Sequence, residues 1–475
     1  MSIQPQSDLL LQSALSSAEN AADGDVLRWV GSVSAKLQSA VERVPLEALS
    51  DWKIDSDTGN LSHSSGKFFR IEGLEVWTNS GKRNHWSQPI INQPEIGILG
   101  FLAKMIDGLL HVLVQAKMEP GNINMVQISP TVQATRSNYT QVHGGRRPTF
   151  VEYFLGDPRM TVLLDQLQSE QGTRYLKKRN RNTILQVPDE IDLNASEDFR
   201  WMTLGQLQRL AKYPNLVHLD CRSILGSISY PGNGSVVYST TLPRSGSFAA
   251  RVLDSLLAKD ESSEHSLSAV AGWITQHKCR VQTTAELIPL NHVDGWELCA
   301  GTIRHKSGCF FSIVGAAVHA QSREVGSWSQ PLVHSKEGGI LGLIAQMRRG
   351  VLHFLIQIRV EPGFIDLAEL APTVQCAPEN YTAGLGIEPP PFVDLLLDAS
   401  KDSIRFDSML SEEGGRFYRS EQRHLIIELD ANTPIDASAD HIWMTLHQIQ
   451  RFASSGNFLN IELRSILACL ALNAP

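Results

Sequence analysis

The chain of 475 residues is one unit written twice. WSQP occurs at Trp86–Pro89 and again at Trp328–Pro331. GILG recurs at Gly97–Gly100 and Gly339–Gly342, EPG at Glu119–Gly121 and Glu361–Gly363, and PTVQ at Pro130–Gln133 and Pro372–Gln375. NYT (Asn138–Thr140, Asn380–Thr382), WMTL (Trp201–Leu204, Trp443–Leu446) and RSIL (Arg222–Leu225, Arg464–Leu467) keep the same offset, 242 residues. From His63 to Thr140, 36 of 78 positions are identical at that offset, where chance would give a few. Nearer the start the offset is 244, pairing Trp29 with Trp273, Pro45 with Pro289 and Trp52 with Trp296, and a loop absorbs the difference. A period this long is domain-sized, not that of a solenoid. The expected division is a first module at 1–225, a Gly-, Ser- and Pro-rich linker at 226–247, and a second module at 248–475.

Composition limits what such a pair can be. With 42% apolar residues the chain can build real cores, and its formal charge of -8 disfavours sequence-independent nucleic-acid binding. The chain shows no stretch apolar enough to span a membrane and no basic leader, which predicts a cytoplasmic protein. None of the six cysteines forms a CxxC pair, so neither a zinc nor a redox motif is indicated.

Leu110–Glu119 alternates as a strand does, with Leu110, Val112, Val114, Ala116 and Met118 on one face. The other face carries His111, Leu113, Gln115, Lys117 and Glu119. The second copy repeats it as His353, Leu355, Gln357, Arg359 and Glu361. Identical polar residues retained after duplication point to a pocket wall or to a satisfied polar network. Gly66–Val76 also reads as a strand. Leu204, Leu207 and Leu210 have helical spacing after the N-cap Thr203, and Leu163–Leu167 reads as helical too. Strands and helices do not alternate regularly, so the expected class is α+β, not a doubly wound sheet.

No Walker A loop, GxGxxG, HExxH or GxSxG elbow is present, so no dinucleotide, metal or serine-hydrolase chemistry is indicated. The basic run Lys177–Arg181 reads as a solvated helix end or loop. Arg174 and Arg416, each two residues after the Gly of an SE(Q/E)G motif, suit an anion or a structural ion pair. The densest polar segment is Ile128–Gly145, ISPTVQATRSNYTQVHGG. The second copy keeps its PTVQ and NYT but has Pro378 for Arg136 and Leu385 for His143.

These residues resemble the NDP-hexose 2,3-dehydratase family. The likeness is carried by WSQP, HVLVQAKMEPGN (His111–Asn122) and SPTVQATRSNYTQVHGG (Ser129–Gly145), with APTVQC and ENYT (Ala371–Thr382) as the echo in the second copy. It implies a tandem of Nudix-like modules, each a mixed sheet flanked by helices, forming a homodimer. It also implies a dTDP-4-keto-6-deoxyhexose substrate, no metal or redox cofactor, and a 3,4-diketo product passed to a downstream 3-ketoreductase. The Glu-rich motif of metal-dependent Nudix hydrolases is absent from both copies.

Such an elimination needs a base for the C3 proton, donors for the developing enolate and an acid for the departing C2 oxygen. The resemblance offers Tyr139, His143, Lys117, Arg136, His111 and Glu119 as catalytic candidates. Trp86, Gln88, Gln115, Gln133, Ser137, Asn138, Thr140 and Arg174 are substrate-binding candidates, joined in the second copy by Trp328, Gln330, Gln357, Arg359, Gln375, Asn380, Tyr381 and Arg416. Catalysis is expected in the first module, which alone has Arg136 and His143. A nucleotide-sugar epimerase or isomerase, a non-catalytic nucleotide-sugar binder and a purely structural tandem are the competing readings.

Overall fold

The computed structural model describes residues 6–16, 23–81, 83–142, 144–230, 242–321, 323–335, 338–382 and 388–473. Within the expected linker, 231–241 lie outside the described residues, as does His143. The architecture is α+β, dominated by sheet, in two similar halves.

Each half carries one seven-stranded sheet. In the first, the order runs Thr161–Ser169, Arg179–Gln186, Gly97–Ile106, Leu109–Met118, Phe199–Met202. Arg179–Gln186 lies parallel to Gly97–Ile106, and the other neighbours along this order are antiparallel. The second sheet repeats this pattern around Gly339–Arg348 and Val351–Val360.

The alternating segment is the strand Leu109–Met118. Leu110, Val112, Val114, Ala116 and Met118 are all buried in the main core, as period-2 patterning requires. The opposite face is not a continuous pocket wall. Leu113 is buried in a separate core with Leu102, Val132 and Phe154, so only the end of that face is left for a cavity.

Two five-stranded sheets are built across the copies. Ser39–Val44 of the first half pairs antiparallel with Phe311–Ala320 of the second. Thr283–Ile288 of the second half pairs with Arg70–Thr78 of the first. Each half thus lends a strand to the other's sheet.

Leu204–Leu210 is a helix with a reciprocal capping box. Thr203 Oγ1 accepts from the Gln206 N–H, and Gln206 Oε1 accepts from the Thr203 N–H, satisfying two otherwise orphaned donors. Thr445 and Gln448 repeat it. Leu163–Leu167, read above as helical, is instead part of the strand Thr161–Ser169. A short apolar run does not fix its own period, and hairpin pairing with Arg179–Gln186 decides it.

The two halves meet through crossing helices, Leu219–Gly226 and Ile461–Leu467. A Cβ on Gly226 would overlap the Arg464 carbonyl oxygen, so glycine allows the close approach. Arg222 and Arg464 are fully buried there. Arg222 donates to the carbonyls of Val217 and Ser411 and to Ser465 Oγ. Arg464 mirrors it on Leu459, Ser169 and Ser223.

Candidate active site

Two cavities have linings that correspond through the repeat. The first encloses about 700 Å³ and the second about 530 Å³. Both draw on both copies. Lys117, Glu119, Gln133, Asn138, Tyr175, Lys178 and Asp220 of the first half line the first cavity, and Trp328, Gln330, Glu413 and Arg416 of the second half complete it. Arg359, Gln375, Asn380, Tyr381 and Glu462 line the second cavity, completed by Trp86, Gln88 and Arg174 of the first half.

The crossing follows from the backbone. The Gly121 N–H donates to the Gly414 carbonyl and the Gly363 N–H to the Gly172 carbonyl, both at 2.8 Å. Each EPG turn is therefore fastened to the SE(Q/E)G loop of the opposite copy. The tryptophans of WSQP are braced alike: Trp86 Nε1 donates to Gln88 Oε1, and Gln88 donates to the Thr173 carbonyl. Trp328 donates to Gln330, and Gln330 to the Gly415 carbonyl. Arg416 stacks over Phe69, 4.3 Å from the ring centroid, and Arg174 stacks over Phe311 at 4.2 Å.

In the first cavity, Lys117 Nζ donates to Gln133 Oε1 at 3.0 Å and to the Gln133 carbonyl, and lies 3.8 Å from Glu119. Glu119 is 3% exposed. Burial opposes its charge, but His218, then Lys117 and Arg323, outweigh it and hold the carboxyl down at about 2. His218 Nδ1 accepts from the Asp220 N–H, which leaves Nε2 to donate to Glu119 Oε2 at 2.8 Å. Burial, then repulsion from Arg323, lowers the Lys117 ammonium from its ordinary value.

Asp220 behaves oppositely. Burial, with the nearby Glu413, Glu170 and Glu119, pushes its carboxyl well above the usual range. Burial, opposed by Glu170, brings Lys178 down to about 8, and its ammonium donates to the Glu95 carbonyl. Glu170 is raised to about 7 by burial and then by Glu413.

The structure redistributes the predicted residues. Lys117, Glu119, Gln133 and Asn138 converge in the first cavity. Trp328, Gln330 and Arg416, expected with the second module, belong to the first cavity; Trp86, Gln88 and Arg174, expected with the first, belong to the second. Strand exchange and the crossed loops cause this correction.

Several candidates sit outside the cavity walls. Tyr139 packs on the core around Ile98 and Phe150, and Arg136 is exposed. In the short helix Arg136–Tyr139, Asn138 is the member that reaches the cavity. Thr140 is exposed and bonds back to the Arg136 carbonyl, while Ser137 is buried against Glu95. His111 lies six residues along its strand from Lys117, roughly 20 Å at about 3.3 Å per residue. Its ring contacts the Leu109 carbonyl. Gln115 donates to Asp198, and Gln357 also lies outside both walls.

Residues of the first cavity that escaped the sequence reading include Asp220, Lys178, Tyr175 and Glu413, and His218 stands behind its wall, bonded to Glu119. Lys178 belongs to the basic run read as solvated, yet it is 5% exposed. The repeat held a usable signal. At offset 242 Lys117 becomes Arg359, Lys178 becomes Ser420 and His218 becomes Asn460. Lys117 and Lys178 line the first cavity and His218 braces Glu119 behind it, and each is exchanged for a group that does not titrate near neutrality.

Among the described residues, no three His, Cys, Asp or Glu side chains are grouped to hold a metal, and no helix is long and apolar enough to cross a membrane. The family model for NDP-hexose 2,3-dehydratase matches residues 23–228 and 267–470. A dTDP-4-dehydro-6-deoxy-alpha-D-glucopyranose 2,3-dehydratase of Saccharopolyspora spinosa is 44% identical, covering 93% of this chain and 90% of the relative. Enzymes of the same description from Amycolatopsis orientalis (40% identical, 94% of this chain and 89% of the relative) and Streptomyces violaceoruber (41%, 93% and 95%) are also similar. With both copies matched, the chain belongs to the NDP-hexose 2,3-dehydratase family.

Proposed function

We propose that the first cavity is where this nucleotide-sugar 2,3-dehydratase, a carbon–oxygen lyase, eliminates water across C2–C3 of a dTDP-4-keto-6-deoxyhexose. The observation that carries the assignment is the asymmetry of the two cavities. An elimination moves protons, and the first cavity is lined by Lys117 and Lys178 where the second is lined by Arg359 and Ser420; behind the wall, the His218 that holds Glu119 is Asn460 in the second copy.

Lys117, fixed by Gln133 and Glu119, stabilises the negative charge that develops on the C4 oxygen. His218, with both nitrogens engaged, is a positioning residue that holds Glu119. Asp220, kept protonated by burial and neighbouring carboxylates, donates to the departing C2 oxygen. Arg416 suits the diphosphate and Trp328 the thymine face. A Nudix-like module, a homodimer, cytoplasmic location, metal independence and hand-over of the diketo product to a 3-ketoreductase complete the reading.

The test is incubation with dTDP-4-keto-6-deoxyglucose, with and without chelator. Mass spectrometry should show loss of water, or breakdown of the labile diketone to dTDP and a pyranone, equally in both. Unchanged substrate would sink the activity, and chelator sensitivity its metal-free part. Asp220→Asn should lower kcat by about 100-fold or more, as loss of a general acid does, while Glu462→Gln should leave kcat close to wild type. The reverse pattern would move the reaction to the second cavity.

A further inference from the structure

The loops exchanged between the copies differ at one position that matters chemically. The loop reaching the first cavity carries Glu413, and the one reaching the second carries Gln171, its counterpart at offset 242. The residues beside them differ in the same sense. Tyr175 lines the first cavity and donates its hydroxyl to Glu413 Oε2 at 3.0 Å, whereas Phe417, which lines the second, has no hydroxyl. One cavity holds a tyrosine–carboxylate pair across the copies, and the other a phenylalanine and an amide.

We propose that Glu413, supplied by the second copy and oriented by Tyr175 of the first, is the group that accepts the C3 proton in the first cavity. Placement supports this. A side chain on Gly415 would meet Glu413 Oε1 at 2.7 Å and Glu119 Oε1 at 3.7 Å, so the two carboxylates flank that glycine. Glu413 is half-buried and reaches the cavity with its second oxygen free of the Tyr175 bond. Glu119 is bound by His218 and Lys117 and is a poor proton acceptor. Burial, and then Glu413, raise the Tyr175 phenol well above its ordinary value, so it remains a donor to the carboxylate.

The proton balance closes. Glu413 takes the C3 proton, and the C–H electron pair becomes the C3=C4 enolate. Collapse of the enolate breaks the C2–O bond, and Asp220 protonates the departing hydroxyl to give water and a C2=C3 enol. The proton on the C3 oxygen then returns to Asp220 as C2 takes the proton held by Glu413, leaving the 3,4-diketone and both carboxyls restored.

The inference rests on the reaction belonging to the first cavity, and one experiment separates the two claims. Wild type, Glu413→Gln, Asp220→Asn and Gln171→Glu are incubated with dTDP-4-keto-6-deoxyglucose in deuterated water, and both C3 exchange and dehydration are followed. Glu413→Gln should lose both by about 100-fold or more, whereas Asp220→Asn should lose dehydration yet still exchange at C3. Gln171→Glu should match wild type. Wild-type exchange in Glu413→Gln, with dehydration lost in Asp220→Asn, overturns the role of Glu413 alone. Wild-type activity in both overturns the cavity assignment as well. The opposite loop already accommodates glutamine at this position, so Glu413→Gln is expected to fold. If it does not, Glu413→Asp, which withdraws the carboxylate by one carbon, should slow exchange with KM little changed, and unaltered exchange would overturn the proposal.

Discussion

Glu369 shows how one carboxyl ties stability to pH. It is buried, accepts from Ser169 Oγ at 2.5 Å, and stands where the first copy has Gln127. Burial raises its carboxyl from 4.5 to about 7, against the opposing effect of the Ser169 bond. A raised carboxyl favours the protonated folded state. Its contribution is full below the unfolded value near 4.5, is lost as pH climbs to about 7, and is flat above. Glu369→Gln replaces it with a group that does not titrate, as Gln127 already does against Ser411. The variant should match wild type near pH 4.5 and exceed it at pH 8, by at most about 3 kcal/mol. Urea unfolding at the two pH values checks this, and a variant less stable at pH 8 would contradict it. At this scale the sequence was half legible. Lys117 and Glu119 were readable because a polar strand face repeats. Asp220 and Lys178 were not, because nothing local marks a charged residue whose burial comes from another part of the chain. Tyr139 and Arg136, read as catalytic candidates, share a four-residue helix of which Asn138 is the member lining the cavity, a placement that no local pattern specifies.

The EPG turn is the element that makes the copies interdependent. A Cβ on Gly121 would overlap the Phe417 carbonyl oxygen, so the turn and the opposite loop fit only with glycine there. Gly121→Ala should push back the Glu413–Phe417 loop, with a cost of about 1–3 kcal/mol from overpacking. Misplacement of a reacting group by roughly 1 Å can cost about 100-fold in rate, so kcat should fall more steeply than stability. Denaturant unfolding and steady-state kinetics on the same preparation separate the two effects, and an unchanged kcat would show that this loop does not hold a reacting group. Elements whose partners are local were legible: the alternating strand, and the helix whose capping box lies within its own four residues. The hairpin strand Thr161–Ser169 was not, because its partner strand decides its conformation.

On the scale of the whole molecule, repetition in sequence and independence in space are different things. The copies are contiguous in sequence, yet each lends a strand to the other's five-stranded sheet and a loop to the other's cavity. The buried arginines Arg222 and Arg464 reach across to backbone carbonyls of the opposite half, and separation would lose these charge-assisted hydrogen bonds, worth about 1.5–3 kcal/mol each. The offset of 242 residues showed that there are two copies but not that they interlock, because identical sequence is compatible with side-by-side or exchanged packing. The distinction has a direct consequence. If the chain is produced as two fragments, 1–230 and 242–475, the first holds Lys117 and Asp220 but lacks Trp328, Glu413 and Arg416. Alone it should be poorly folded and inactive despite carrying most of the reacting side chains. Co-expressed, the fragments should associate one to one and recover dehydration, because the exchanged strands and loops need proximity rather than a covalent link. A first fragment that dehydrates dTDP-4-keto-6-deoxyglucose by itself would show that the second copy supplies nothing the chemistry needs, and would remove the reason for the crossed arrangement.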